Sequence, residues 1–306
     1  MQPLATTERW RIDQADCLTW LRSLPDDYAS LLLCSPPYEA ARTYGIGFSL
    51  AGQAWVDWMV EVITAAAPKV NGLIAIVCEG QTRDFRYSAV PMLLMADLHR
   101  AGFNLRKPPA YCRVGIPGSG GPDWLRNDWE PVLCVTRPGR LPWAEPTACG
   151  HEPRWAPGGP LSNRRVNGKR VNNRDKAQRV PKTWLGRGNG TKGGCASVPA
   201  VANPGNLIRC KVGGGLLGHP LAHENEAPFP LKLADLVVRS FCPPNGLVLD
   251  CFTGSGTTGH AAVEAGRRFH GCDVRHSQVE LATRRLQSVT PELFSPSPTA
   301  AGRGVT

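Results

Sequence analysis

The sequence predicts an α/β fold built on a doubly wound, mostly parallel sheet, and three observations carry that prediction. Short aliphatic runs ending in a polar residue or a turn recur at 30–34, 73–77, 131–136 and 246–250, as suits strands buried on both faces. Segments with helical apolar spacing separate them at 55–67, 89–101 and 277–286. A Gly-rich turn follows one strand and opens a helix. Strands alternating with helices pack as helices on both faces of a sheet.

Gly246-Leu247-Val248-Leu249-Asp250 reads as a buried parallel strand that delivers Asp250 at its carboxyl edge, where ligands of such sheets bind. In Cys251-Phe252-Thr253-Gly254-Ser255-Gly256-Thr257-Thr258, the two glycines allow a tight turn and close approach of a ligand to the backbone. A helix then begins at Thr257. Arg267-Arg268-Phe269-His270-Gly271-Cys272-Asp273 reads as a second strand ending in a second acid. It lies about 20 residues on, the distance over which an acid in a nucleotide-binding βαβ unit reaches ribose hydroxyls. A turn that only starts a helix is the alternative. The turn lacks the GxGxxG pattern, and Asp250 disfavours a pyrophosphate beside it. S-adenosylmethionine has no phosphate; its ammonium suits Asp250 and its ribose Asp273.

The other informative stretch is Ser35-Pro36-Pro37-Tyr38, directly after the run 30–34. Two prolines remove two backbone donors and hold the chain extended, leaving carbonyls to accept. A hydroxyl, a proline carbonyl and an aromatic ring form a site for a planar molecule bearing an amino group. A proline turn with a capping serine is the alternative for the four residues alone.

Together these stretches resemble the β-class of amino-methyltransferases acting on DNA, over about 9–286. The resemblance implies a Rossmann-like, doubly wound methyltransferase sheet, circularly permuted so that the catalytic half precedes the cofactor-binding half, with an inserted target-recognition region. It implies a catalytic half over 1–136, a recognition region over 137–218, a cofactor half over 219–290 and a mobile tail over 291–306. Ser35, Pro36, Pro37 and Tyr38 would form the catalytic motif, with Tyr38 stacking on the base. Asp16, Phe229, Asp250, Phe252, Gly254, Ser255, Gly256, Thr257 and Asp273 would hold S-adenosylmethionine, Asp16 from an N-terminal strand beside the one ending at Asp273. Relatives usually have Asp-Pro-Phe where this chain has Asp250-Cys251-Phe252. The lost proline loosens the loop but leaves the acid and the glycines.

Charge locates the insertion. Fifteen Lys and Arg against three acids fall within 137–211, a surplus of twelve, whereas the whole chain carries +10. The basic charge is concentrated there, interleaved with Trp143, Trp155 and Trp184, a composition that reads as DNA-contacting. Arg164, Arg165, Lys169, Arg170, Arg174, Lys176, Arg179 and Lys182 are the candidate phosphate contacts; a solvated basic loop is the alternative.

Eleven cysteines without a CxxC pair, and no secretory or transmembrane run, point to reduced thiols in the cytoplasm. Cys149 with His151, and His219 with His223, lack the further ligands of a zinc site, so no metal is expected. Methylation at carbon 5 of cytosine needs a thiolate that its family presents in a Pro-Cys pair, and the chain has none. Direct transfer from sulfonium to an exocyclic nitrogen is the expected reaction, on a base turned out of the stack. Among relatives Ser-Pro-Pro-Tyr goes mainly with N4 of cytosine, and an acid in place of the serine with N6 of adenine. The expected partners are DNA and a restriction endonuclease sharing the site, with no membrane. The rivals are a silent DNA-binding protein on the same fold and a nicotinamide-dependent oxidoreductase.

Overall fold

The computed structural model describes residues 4–6, 8–39, 47–115, 121–151, 201–212, 217–225 and 228–289. The candidate contacts from Arg164 to Lys182 and the tail 291–306 lie outside the described residues. The chain divides into one compact unit of Met1–Glu145 with Asn206–Thr306 and a second of Pro146–Gly205.

The first unit holds a nine-stranded sheet. Its strands are β1 (Trp10–Gln14), β2 (Ala29–Cys34), β3 (Val70–Val77), β6 (Asn104–Arg106), β7 (Ala110–Val114), β8 (Trp129–Thr136), β9 (Leu207–Lys211), β10 (Leu247–Asp250) and β11 (Arg268–Asp273). A separate hairpin pairs β4 (Thr82–Arg83) with β5 (Arg86–Tyr87). The sheet order is β1-β11-β10-β2-β3-β8-β7-β9, with β6 also on β8. From β1 to β3 every pairing is parallel, and β1 extends the sheet beyond β11. Beyond β3 the expectation of a mostly parallel sheet changes, because β8 runs antiparallel to β3, β6 and β7. β9, inside the basic stretch of the sequence, pairs with β7 in parallel. Its Leu207, Arg209 and Lys211 are exposed while Ile208 and Cys210 are buried, the period-2 pattern of a strand with one face in water.

The same period sorts the central strands between two cores. Leu32, Cys34, Ile74, Ile76 and Leu249 join one face with Trp20, Trp55, Met59, Ile63 and Leu94. These last come from helices α1 (Cys17–Ser23), α2 (Gly52–Ala66) and α3 (Val90–Arg100). Leu31, Leu33, Ala75 and Val248 join the other face with Leu233, Val237, Ala261 and Leu286. Those helices are α4 (Leu231–Phe241), α5 (Thr257–Glu264) and α6 (His276–Val289).

Direction of travel places the site. From β2 the chain moves through α2 to β3 on one side; from β10 it moves through α5 to β11 on the other. β2 and β10 are adjacent and parallel, so the strand order reverses between them and a crevice opens beyond their carboxyl ends. The segments that leave those two ends are Ser35-Pro36-Pro37-Tyr38 and the Gly-rich turn.

Of the second unit the described residues show one antiparallel bridge, in which His151 and Ala202 exchange backbone hydrogen bonds of 3.2 and 2.8 Å.

Candidate active site

The crevice contains a cavity of about 310 Å³ lined from both segments. Ser35, Pro36, Pro37 and Tyr38 form one side, and Cys251, Phe252, Gly254, Asp273 and Arg275 another. Asp16 joins them from the start of α1, where its carboxylate caps the helix by accepting from Thr19 N–H at 3.0 Å.

The four residues after β2 are fixed from behind. Trp55 Nε1 donates to the Pro37 carbonyl at 2.8 Å, Ser35 and Pro36 both line the cavity, and the Ser35 side chain is hydrogen-bonded to that of Tyr38. Tyr38 Oη donates to Glu130 Oε2 at 2.8 Å, and Glu130 Oε1 lies 3.2 Å from Arg113 Nη1. Burial pushes the Glu130 carboxyl up, opposed by the Arg113 charge. Burial also pushes the Tyr38 phenol well up, so it stays neutral at ordinary pH.

The turn after β10 is held by acids and by its glycines. Asp250 is 1% exposed and its Oδ1 accepts from Phe252 N–H at 2.9 Å. Burial raises its carboxyl to about 7, against hydrogen bonds from Thr258 and the Phe252 amide. Asp273 Oδ2 accepts from Gly254 N–H at 2.9 Å and its Oδ1 from Arg275 N–H at 2.9 Å, so it clamps the turn to the end of β11. Gly254 has φ +49°, and a Cβ there would lie 3.0 Å from Asn225 Nδ2. Gly256 caps α5 at φ +77°, with the wall of α6 3.0 Å from any added Cβ. Both positions call for glycine.

Asp250 and Gly256 support the turn without lining the cavity, and the remaining sequence-predicted residues lie elsewhere. Ser255 and Thr257 are buried beneath the turn, where Ser255 carbonyl and hydroxyl and Thr257 Oγ1 accept from Arg285 Nη1 at 3.2, 3.3 and 2.9 Å. Phe229 packs against the core on the α4 face and does not line the cavity. Cys34 is buried in the core; a hydrogen bond with Cys251 lowers its pKa most, but burial and the nearby Asp250, Cys17 and Cys78 together outweigh it and push the thiol up, the opposite of an activated thiolate.

Several lining residues escaped the sequence reading. Phe48, Leu50 and Trp58 form an apolar wall, with Trp58 stacked at an angle between Phe48 at 5.1 Å and Phe252 at 5.6 Å. Trp58 lies one helical turn beyond Trp55, and that i, i+3 pair was the available signal. Glu130, an acid heading an apolar strand, was the signal for the support behind Tyr38. Asn225 belongs to the segment 223–231 that resembles the family's approach to a helix beside the cofactor pocket, and it lines the cavity where Phe229 was the expected contact. Among the described residues no cluster of three or more His, Cys, Asp or Glu could hold a metal ion, and no helix is long and apolar enough to cross a membrane.

A doubly wound sheet with this pocket at its switch point is a methyltransferase fold of the Rossmann-like kind. Residues 29–284 match the family model of N6/N4 type described as DNA methylase, and the chain belongs to that family, whose cofactor is S-adenosylmethionine. Among curated relatives, the Type II methyltransferase M1.MboII of Moraxella bovis is 47% identical over 55 residues, 18% of this chain and 21% of that one. M.ScaI of Streptomyces caespitosus is 35% identical over 68 residues, 22% of each chain. The matched segments thus span only about a fifth of these two relatives. M.PvuII of Proteus hauseri is 23% identical over 314 aligned residues, 93% of this chain and 86% of that one. The solved PvuII DNA methyltransferase, described as cytosine-N4-specific, superposes with TM-score 0.63 at 16% identity, covering 92% of this chain and 91% of that one. A candidate DNA modification methylase of Thermus thermophilus, solved with S-adenosyl-L-methionine, gives TM-score 0.55 at 20% identity over 92% of this chain and 95% of that one.

Proposed function

We propose that this protein transfers the methyl group of S-adenosylmethionine to the exocyclic N4 of a cytosine turned out of DNA. The observation that carries the reading is the shared cavity: Ser35, Pro36 and Tyr38 face Phe252, Gly254 and Asp273 although more than 200 residues separate the two segments. Asp273 at the end of β11, Asp16 beside it and a glycine turn fit a cofactor with a cationic amino-acid part and a ribose, and among the described residues lining the cavity only Arg275 is basic, a poor provision for a pyrophosphate. Bound S-adenosylmethionine supplies an electrophilic methyl group on a sulfonium.

The chain's own residues would do the rest by alignment. The Ser35 hydroxyl and Pro36 carbonyl accept hydrogen bonds from the two amino hydrogens, draw the nitrogen lone pair out of conjugation with the ring and turn it toward the methyl. The Tyr38 ring stacks on the base, its orientation fixed by Glu130. Asp273 and Asp250 bind the ribose and the ammonium. The amino nitrogen gains the methyl carbon as the carbon–sulfur bond breaks, and then releases one hydrogen as a proton to water. No thiolate is needed, in keeping with the buried, unactivated Cys34.

Cytosine N4 is favoured over adenine N6 by Ser35 at the head of the motif and by the likeness to M.PvuII along most of both chains. The catalytic half precedes the cofactor half in the circularly permuted order of β-class enzymes. The basic region 137–218 would be the target-recognition insertion, and the Type II names of the relatives favour a restriction-modification setting with a partner endonuclease.

The test is a double dissociation. Asp273→Ala should weaken S-adenosylmethionine binding in calorimetry and leave DNA affinity nearly intact, whereas Tyr38→Ala should lower turnover on DNA and leave cofactor affinity nearly intact. The reverse pattern would overturn the assignment of the two halves.

A further inference from the structure

The hairpin of β4 and β5 has no part in the chemistry above, yet it is anchored to the residue after Tyr38. Gln81 N–H donates to Glu39 Oε1 at 3.3 Å, and Glu39 Oε2 accepts from Gly52 N–H at 2.8 Å. Tyr87 Oη donates to Glu79 Oε1 at 2.7 Å. Both carboxylates are buried, Glu39 at 4% and Glu79 at 9% exposure. The base of the hairpin is therefore tied into the support of the active-site segment.

Its tip is built differently. Residues 82–87 are all exposed, Phe85 at 78%. Asp84 and Phe85 take φ of +48° and +62°, the left-handed conformation of a two-residue turn that Asn-Gly fills without strain and a bulky ring does not. Arg83 and Arg86 stand opposite each other in the pairing, so the tip carries two cationic residues beside the ring. A large ring is thus held in water, on a strained backbone, at the end of a ribbon that carries Arg83 and Arg86.

We propose that this hairpin is a second DNA-contacting element beside the active site, with Phe85 stacking against the bases next to the extruded one and Arg86, with Arg83, holding a flanking phosphate. The inference rests on the DNA methyltransferase reading. A polyanion of stacked rings suits both features of the tip, since turning a base out leaves stacking surface that an aromatic wedge can cover and phosphates attract exposed cationic side chains such as Arg86. A protein partner or second copy would call for a wider apolar patch than one ring flanked by charges.

The experiment uses the full chain and a duplex containing the sequence that the wild-type protein methylates, with 2-aminopurine next to the target base. Phe85→Ala should reduce base-opening fluorescence and lower kcat/KM for DNA roughly tenfold or more, the scale of one base–aromatic contact, with S-adenosylmethionine affinity unchanged. Arg86→Ala should reduce the salt dependence of DNA binding by about one unit of slope, and Arg86→Lys should restore it. Unchanged fluorescence, kcat/KM and salt slope in these variants, with the wild type active, would overturn the inference alone. A change in the sedimentation of DNA-free protein without any change on DNA would overturn it in favour of a protein interface. A wild type that neither binds nor methylates DNA would overturn the underlying reading.

Discussion

Tyr38 at the end of the Ser-Pro-Pro-Tyr segment donates its phenolic hydrogen to Glu130 Oε2 at 2.8 Å, although 92 residues separate them. The pair ties the ring that faces the cavity to the antiparallel strand β8, and Arg113 holds the carboxylate from its other side. Glu130→Ala should therefore lower turnover by about tenfold to a hundredfold through misplacement of the ring while leaving cofactor affinity unchanged. Glu130→Gln, which keeps an acceptor for the phenol, should cost much less. Steady-state kinetics with calorimetry on both variants checks this; equal loss in the two would mean that charge matters and orientation does not.

Arg285 is fully buried and its Nη1 holds Ser255 and Thr257 beneath the Gly-rich turn. Burial pulls this guanidinium down to about 10, so it stays charged at neutral pH. Removing it leaves buried acceptors unsatisfied at a cost of about 1–3 kcal/mol. Arg285→Met should lower Tm and also loosen the turn, which would appear as weaker S-adenosylmethionine binding and as a smaller rise in Tm when the cofactor is added. A variant with lower Tm but unaltered cofactor affinity would confine Arg285 to the core.

Asp250 gives the site a pH dependence. Burial holds its carboxyl at about 7 in the free protein, and a cationic ligand prefers the ionised form. Affinity for S-adenosylmethionine should hence be highest above pH 7 and fall by about tenfold for each unit below it. Calorimetric titrations from pH 5.5 to 8.5 check this, and Asp250→Asn should bind weakly and flatten the profile.

Asp13 gives the fold a different one. Burial raises its carboxyl, but hydrogen bonds from His270, Arg11 and Trp20 outweigh burial and bring it from 3.8 to about 2. His270, itself fully buried, bridges Asp13 at 2.9 Å and Tyr28 at 3.0 Å, tying β1 to β11 and the start of β2. A folded-state pKa below the unfolded one stabilises the fold above the unfolded value. That stability, about 2 kcal/mol, is present above pH 4 and is lost as the pH falls toward 2. Asp13→Asn should remove it and flatten the acid limb of a denaturation series.

Legibility in the sequence followed how local each signal is. The two strand-to-turn segments could be read because a strand, a glycine or proline turn and an acid lie within ten residues. The edge position of β1 could be read because the strand ending at Asp273 needed a neighbour, and the N-terminal segment supplies it. The antiparallel side of the sheet was hidden, since an aliphatic run such as Val132–Val135 reads alike in either direction. β9 was hidden for another reason: its exposed Arg209 and Lys211 blend into the basic stretch before it. Trp58 could be placed on a helix, but only packing against Phe48 and Phe252 makes it a wall of the cavity.

The central claim is tested most directly by incubating the purified protein with unmodified DNA and S-adenosylmethionine, digesting the DNA to nucleosides and identifying the methylated base by mass spectrometry. The account predicts N4-methylcytosine, lost in Tyr38→Ala. N6-methyladenine alone would contradict the choice of base and leave the fold and cofactor reading in place; no methylated base, with the cofactor bound and intact, would contradict the enzymatic reading itself.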